Sequence, residues 1–333
     1  MSQSDGRARR GFILNTSLIA LGVASAMLSL SALAQGDWPN KPVRIIVPYG
    51  PGQGADLIAR LLAQELSGSL RQSFVVENRP GAGGNIGAAM VAKADPDGYT
   101  ILLGTNATLA ANEFLYSNLG YQPARDFDAV AMLGLLPMVI CAATDFPTNG
   151  IAKLVQQARA RPNTINVGLP STTASVVFAQ FVQSAQAPLF GVKYKTSGQS
   201  TTDVLGGQIP LVIDTVAATR SHIQSGKLRA LGISSSKSSA VLEGVKPIAD
   251  QGVPNFSLVA WDALFIPKGT PAAVVVKLSE HVRLALEKPS LQRKLVELGI
   301  DPEYMKPAVL AEFVKSERKR WGALIVAADL HAD

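Results

Sequence analysis

Val43-Arg44-Ile45-Ile46-Val47-Pro48-Tyr49-Gly50-Pro51-Gly52-Gln53-Gly54-Ala55-Asp56 decides the fold class of this 333-residue chain. Its first five residues form a β-branched run closed by proline, which reads as a buried strand. Leu57, Leu61, Leu62 and Leu66 then recur at helical spacing, predicting a helix over 55–66 directly after the glycines. A strand that feeds a helix through a short small-residue turn is the first half of a βαβ unit, from which parallel sheets are built. The glycines let a ligand approach the backbone. The first turn of the helix offers N–H groups that favour carboxylate or phosphate oxygens by about 0.3–1 kcal/mol per contact. The same glycines also satisfy a plain tight turn, and Asp56 a plain helix cap.

Outward from this unit the alternation continues. Further strands are expected at 73–77, 100–104, 165–168, 210–214 and 228–234, with helices at 85–93, 109–114, 151–160, 174–185, 201–205 and 216–225. From Thr270 onward the pattern changes to three successive helices, at 271–287, 290–298 and 307–328, with prolines at the joints. The fold class is therefore α/β. Strand ends open into hydroxyl- and amide-bearing loops: Gly104-Thr105-Asn106, Gly168-Leu169-Pro170-Ser171-Thr172-Thr173 and Asp214-Thr215. Strand carboxyl ends lie along one edge of a parallel sheet, where ligands bind. Donors of this kind suit a small polar anion, although each Ser or Thr alone reads as a helix N-cap.

Composition narrows the function classes. Hydrophobic residues make up 47% and charged residues 17%, which supports a packed core and excludes disorder as the dominant state. The single cysteine, Cys141, excludes an intrachain disulfide framework and cysteine-clustered metal sites, and reads as a buried thiol. Gly50, Gly52 and Gly54 are spaced G-x-G-x-G, which is not a nucleotide fingerprint. The second glycine-rich stretch, Arg79 to Gly87, is not expected to sit in the strand-to-helix context of a dinucleotide site. There is no G-x-S-x-G elbow and no H-E-x-x-H spacing. His222, His281 and His331 have no sequence context of a general base, and Asp203 and Asp262 have no evident acid–base partner. No catalysis, cofactor or metal is expected.

The net charge is +6 at pH 7. Arg7, Arg9 and Arg10, the uncharged run 11–34 and the Ala32-Leu33-Ala34 ending read as an export signal over 1–34, cleaved near Ala34; retention as an anchor is the other reading of that run. Arg9-Arg10-Gly11-Phe12-Ile13 resembles the twin-arginine consensus. Cleavage would take three arginines and Asp5, leaving +4. Export and the lack of an aromatic–basic cluster argue against a nucleic-acid partner.

Trp38-Pro39-Asn40-Lys41-Pro42 through Tyr49 resembles the opening of the Bug receptors, the extracytoplasmic solute receptors of tripartite tricarboxylate transporters. Val76-Glu77-Asn78-Arg79-Pro80-Gly81-Ala82-Gly83-Gly84-Asn85-Ile86-Gly87 is similar to that family's most distinctive stretch. Asp95 to Thr100, Tyr194-Lys195, Leu205 to Gln208, Gly226 to Leu231 and Pro267 to Pro271 also match, in the family's order. The resemblance implies a two-lobed periplasmic binding protein (type II-like), with two parallel-rich mixed sheets, helices on both faces and a ligand cleft between lobes. It implies domain 1 over 37–137 plus 260–333, an inserted domain 2 over 138–259, and crossing strands at 136–141 and 258–265.

By position, the resemblance places Tyr49, Gly50, Pro51, Gly52, Gln53, Gly54, Ala55, Asp56, Thr105 and Asn106 on one wall of the cleft. It places Ser171, Thr172, Thr173, Lys195, Ser197 and Asp214 on the other. Lys195 would neutralise an anion or simply face outward; Asp214 would receive an ammonium or hydroxyl, or cap the next helix. A bulky residue at Gly52 is expected to block the backbone approach. The implied ligand is a small organic carboxylate: a dicarboxylate, an aromatic acid or an acidic amino acid. The implied partners are large and small membrane subunits of a transporter, with the receptor a monomer. A ligand-presenting sensory receptor and, further off, an exported α/β enzyme are the competing readings. Two departures fall in the second wall: Ser171-Thr172-Thr173-Ala174 replaces a Gly-Asn-Gly-Ser-like turn, and Thr215-Val216-Ala217 replaces Asn-Leu-Pro.

Overall fold

β1 (Val43–Val47) buries four of its five side chains, as a strand covered on both faces must. This computed structural model describes residues 38–332, so the export-signal reading of residues 1–34 lies outside the described residues. From Lys41 onward the chain forms one unit. β1 leads into α1 (Gly54–Leu70), then β2 (Phe74–Asn78), α2 (Asn85–Ala92), β3 (Thr100–Thr105) and β4 (Phe127–Leu136). β2 and β3 flank β1 in parallel.

The chain then enters a second sheet. β5 (Met138–Ala143), α3 (Ile151–Ala160), β6 (Asn166–Leu169), α4 (Thr172–Ala185) and β7 (Phe190–Lys193) follow, then α5 (Ser197–Leu205), β8 (Leu211–Thr215), α6 (Val216–Gln224) and β9 (Leu228–Ile233). The return strand β10 (Ala260–Pro267) pairs antiparallel with both β3 and β4. α7 (Ala272–Leu286), α8 (Pro289–Glu297), the two-residue β11 (Asp301–Pro302) and α9 (Pro307–Ala327) complete the first layer. The sheet orders are β11-β4-β10-β3-β1-β2 and β7-β6-β8-β5-β9. Each sheet has a parallel half, made by βαβ units, and an antiparallel half where the chain passes between sheets.

The passage itself differs from a single crossing strand over 136–141. β4 stops at Leu136, Pro137 intervenes, and β5 starts at Met138 in the other sheet. Proline has no N–H for a ladder, so the strand breaks there and its two halves are free to belong to different sheets. The expected second crossing, 258–265, is also divided: β10 belongs to the first sheet alone, while Leu258 donates to Ser234 O (3.1 Å) at the end of β9. Ser234 in turn donates to Met138 O (2.8 Å), so the outgoing and returning segments are tied together.

Other differences are local. Helix α5 starts at Ser197 rather than 201 because the Thr196 hydroxyl accepts from Gln199 N–H and caps it. Residues 107–114 form a π-turn and a 3-10 turn instead of a regular helix. The Arg79–Gly87 stretch does join a strand, β2, to a helix, α2, contrary to the sequence reading, but its glycine spacing still lacks the dinucleotide pattern. Asp203 is partnered, accepting from Tyr194 Oη at 2.8 Å. Cys141 lies buried on β5, its thiol pushed up to about 12 by burial.

All eight residues of β10 are buried. Trp261 on this strand packs edge-on against Phe313 of α9 (5.6 Å between centroids) and lies tilted to Phe265. Its indole N–H donates to Glu317 Oε2 at 3.0 Å, and Trp321 donates to the same oxygen at 2.8 Å. One buried carboxylate thus satisfies two indoles and fixes α9 on β10. Replacing Glu317 by Leu strands both donors and is expected to destabilise the protein by about 2–4 kcal/mol. Glu317→Gln, which keeps an acceptor, should cost less than half as much in urea denaturation. Equal stability of Glu317→Leu and the parent would contradict this role.

Candidate functional site

The carboxyl ends of β1, β3, β6 and β8 and the amino end of β10 meet at an inner chamber of about 50 Å³. It is lined from the first sheet by Tyr49, Gln53, Gly54, Ala55, Thr105, Asn106, Leu136, Ala260 and Asp262, and from the second by Met138, Ser171, Thr173, Ser197, Asp214 and Thr215. That volume fits one charged head group or a few waters. Beyond it, and sharing Tyr49, Gln53 and Ser171, lies an outer groove of about 660 Å³ whose walls include Tyr116, Thr172 and Lys195.

Two side-chain bonds bridge the walls. Gln53 Nε2 donates to Ser197 Oγ (3.1 Å), and Asn106 Nδ2 donates to Thr173 Oγ1 (2.9 Å). Gln53 also accepts from Gly50 N–H (3.1 Å), which folds the loop back on itself, and Asn106 Oδ1 accepts from Trp261 N–H (3.4 Å). The Tyr49 hydroxyl meets Thr105 Oγ1 at 2.9 Å; burial raises the phenol above its ordinary value and keeps it neutral, outweighing the pull of that hydrogen bond.

Four helices begin at the chamber. Ser171, Thr196 and Thr215 accept from backbone amides of α4, α5 and α6 and cap them. α1 has no side-chain cap, so the amides of Gly54 and Ala55 begin that helix at the chamber wall without competition from a capping oxygen.

Not every residue named from sequence lies here. Pro51, Gly52 and Asp56 line neither space. Asp56 is engaged structurally instead: it accepts from Gly52 N–H (2.9 Å), Arg60 Nε (3.0 Å) and Asn78 Nδ2 (2.9 Å). Its carboxyl is held below the usual range, the donors overcoming the cost of burial. A Cβ on Gly52 would meet nothing within 4 Å, and its φ of +81° is strained for other residues, so a side chain there would not fill the site. Gly54 is the blocking position: its Cβ would approach Leu136 Cδ2 at 2.6 Å and Thr215 Oγ1 at 3.4 Å. Gly50, Thr172 and Lys195 border only the outer groove, with Lys195 exposed.

Asp262 was missed as a site residue. It stands opposite Thr105 of β3 and Gly134 of β4, next to an irregularity in the β4 ladder, the kind of break that re-aims a side chain. The only sequence signal was an acid inside an otherwise apolar strand. Burial pushes Asp262 up to about 8. It pushes Asp214 up to about 6, against the nearby Ser197 hydroxyl and the Thr215 amide, which donates to Oδ1 at 2.7 Å. Among the described residues no group of three or more His, Cys, Asp or Glu is arranged to hold a metal.

Scaffold and site together have known counterparts. Residues 58–330 match the family model described as the tripartite tricarboxylate transporter family receptor, TctC. The chain belongs to this family. Among solved structures, a protein of R. palustris determined with adipate is 32% identical, with a TM-score of 0.86, covering 89% of this chain and 99% of that one. The periplasmic binding protein BugD is 31% identical (TM-score 0.83; 89% and 100% covered). MatC from Rhodopseudomonas palustris, with bound malate, is 29% identical (TM-score 0.79; 86% and 100% covered). The fold of this TctC receptor is accordingly that of the two-lobed periplasmic binding proteins, and it is a Bug-type receptor.

The raised carboxyl of Asp262 has a consequence for stability. Its unfolded counterpart ionises near pH 4, whereas the folded group keeps its proton to about 8. The folded state therefore binds more protons across this window, and stability falls as pH rises, by up to about 1.4 kcal/mol per pH unit from this group. Asp262→Asn should flatten that slope, raising the melting temperature of ligand-free protein at pH 8 more than at pH 5. Parallel pH profiles for variant and parent would contradict it.

Proposed function

We propose that this chain is a periplasmic receptor that captures a small organic acid in the chamber between its sheets and delivers it to a tripartite transporter. The observation that carries this is the meeting of four strand carboxyl ends and an uncapped helix N-terminus at one chamber between the sheets, in a family whose solved members include proteins holding adipate and malate. Backbone amides at a helix start bind carboxylate oxygens without a basic side chain. The reading involves no chemistry on the solute and no cofactor.

In this reading domain 1 comprises 37–137 plus 260–333 and domain 2 comprises 138–259, with residues 1–34 an export signal. The lobes close on the ligand by a hinge at the paired segments around Pro137 and Ser234. Gln53, Gly54, Ala55, Thr105, Asn106, Ser171, Thr173, Ser197 and Asp214 contact the solute in the inner chamber with Tyr49. Gly50, Thr172 and Lys195 act at its entrance. The loaded, closed monomer is what the large and small membrane subunits recognise.

Thermal-shift screening of ligand-stripped protein against mono- and dicarboxylates, aromatic acids and acidic amino acids tests the reading. A ligand at about a hundred times its Kd should add roughly 2.7 kcal/mol. A shift with neutral sugars and none with any organic acid would sink it. Gly54→Val, whose side chain props Leu136 and Thr215 away, should weaken binding of the identified acid at least tenfold, about 1.4 kcal/mol, with circular dichroism unchanged; unaltered affinity would remove the α1 start from the site.

A further inference from the structure

Beyond α9 the chain turns sharply instead of trailing away. Asp329 holds a left-handed φ of +48°, its N–H donates to Val326 O (3.2 Å), and the Leu330 N–H donates back to Ile325 O (3.1 Å). This pair of bonds is a Schellman ending, which stops the helix and fixes the direction in which the chain leaves it. Glycine is usual at the left-handed position; aspartate is one of the few other residues that enter it. Across the turn, Asp329 Oδ1 meets His331 Nε2 at 3.2 Å.

The segment so directed borders the outer groove and reaches both sheets. Leu330, His331 and Ala332 line that groove together with Leu115 and Lys193. On the first-sheet side the Ala332 N–H donates to Leu115 O at 3.0 Å, and α9 is itself fixed through Trp321 and Glu317. On the second-sheet side Lys193, the last residue of β7, donates from Nζ to His331 O at 3.2 Å. Neither partner depends on this bond for its own place: β7 is laddered to β6, and the tail is tied to Leu115 and α9.

Its position gives the bond leverage. Leu136 and Met138, on either side of Pro137, line the inner chamber, so the chamber adjoins the joint between the sheets. No residue of 134–140 or 234–258 lines the outer groove. In a hinge motion, contacts away from the joint are stretched most by a given opening angle.

We propose that residues 329–332 form a strap that latches the two lobes across the outer groove, with Lys193 and the His331 carbonyl as its clasp. The strap biases the receptor toward its closed form and must let go before the solute leaves. This rests on the receptor reading above, since a latch matters only if the lobes part.

The test is pulsed electron paramagnetic resonance on the full chain, with spin labels at Val276→Cys on α7 and Gln183→Cys on α4, both exposed; Cys141 is buried and escapes labelling. In ligand-free protein, Lys193→Met and a chain ended after Ala328 should each raise the population at longer inter-lobe distances roughly three- to tenfold, the scale of one partly exposed hydrogen bond. Lys193→Arg, which keeps a donor, should restore the parent distribution. Adding Lys193→Met to the shortened chain should change nothing more, because both remove the same bond. Distances unaltered by either variant, or effects that add, overturn the strap. Circular dichroism checks the fold, and if the shortened chain does not fold, Lys193→Met against Lys193→Arg decides. Thermal-shift binding of organic acids separates the two claims: binding kept with distances unaltered overturns the strap alone, and no acid bound by the parent overturns the receptor reading.

Discussion

Two carboxylates kept out of water, Asp214 at the end of β8 and Asp262 near the start of β10, set the electrostatic terms on which this molecule works. Each is positioned by a strand buried in its own sheet, and neither is neutralised by a basic side chain of the chamber. Burial raises both, most strongly Asp262. A chain that maintains such groups accepts a standing cost in stability.

The scaffold supplies the rigidity this needs. Glu317 ties Trp261 to α9 and so fixes β10, the strand that carries Asp262, while Gln53 and Asn106 reach across to Ser197 and Thr173. These bridges are neutral hydrogen bonds of modest net strength. Pro137 and the Ser234 contacts concentrate the connection between sheets in a few residues.

Much of this was legible in the sequence, for a physical reason: strands and helices here are locally consistent. β1 and α3 occupy the residues that periodicity assigns, Val43–Val47 and Ile151–Ala160, and the hydroxyl-rich strand ends do converge. What escaped depends on distant partners. β7 is a short edge strand whose Phe190 stays exposed, so it carries little burial signal. Asp56 resembles a ligand residue in its loop, yet Asn78 from the neighbouring strand turns it into a brace. Asp262 looked like an isolated acid because Thr105 and Gly134, which place it at the chamber, lie on other strands. The net charge of +6 bears less on the site than these two acids do, since Lys195 borders only the outer groove.

The most direct measurement is a crystal structure of the protein with the organic acid that it binds most tightly. The account predicts an acid group of that ligand in the inner chamber, within hydrogen-bond distance, about 3 Å, of the amides of Gly54 and Ala55. A ligand bound wholly outside the inner chamber would contradict it.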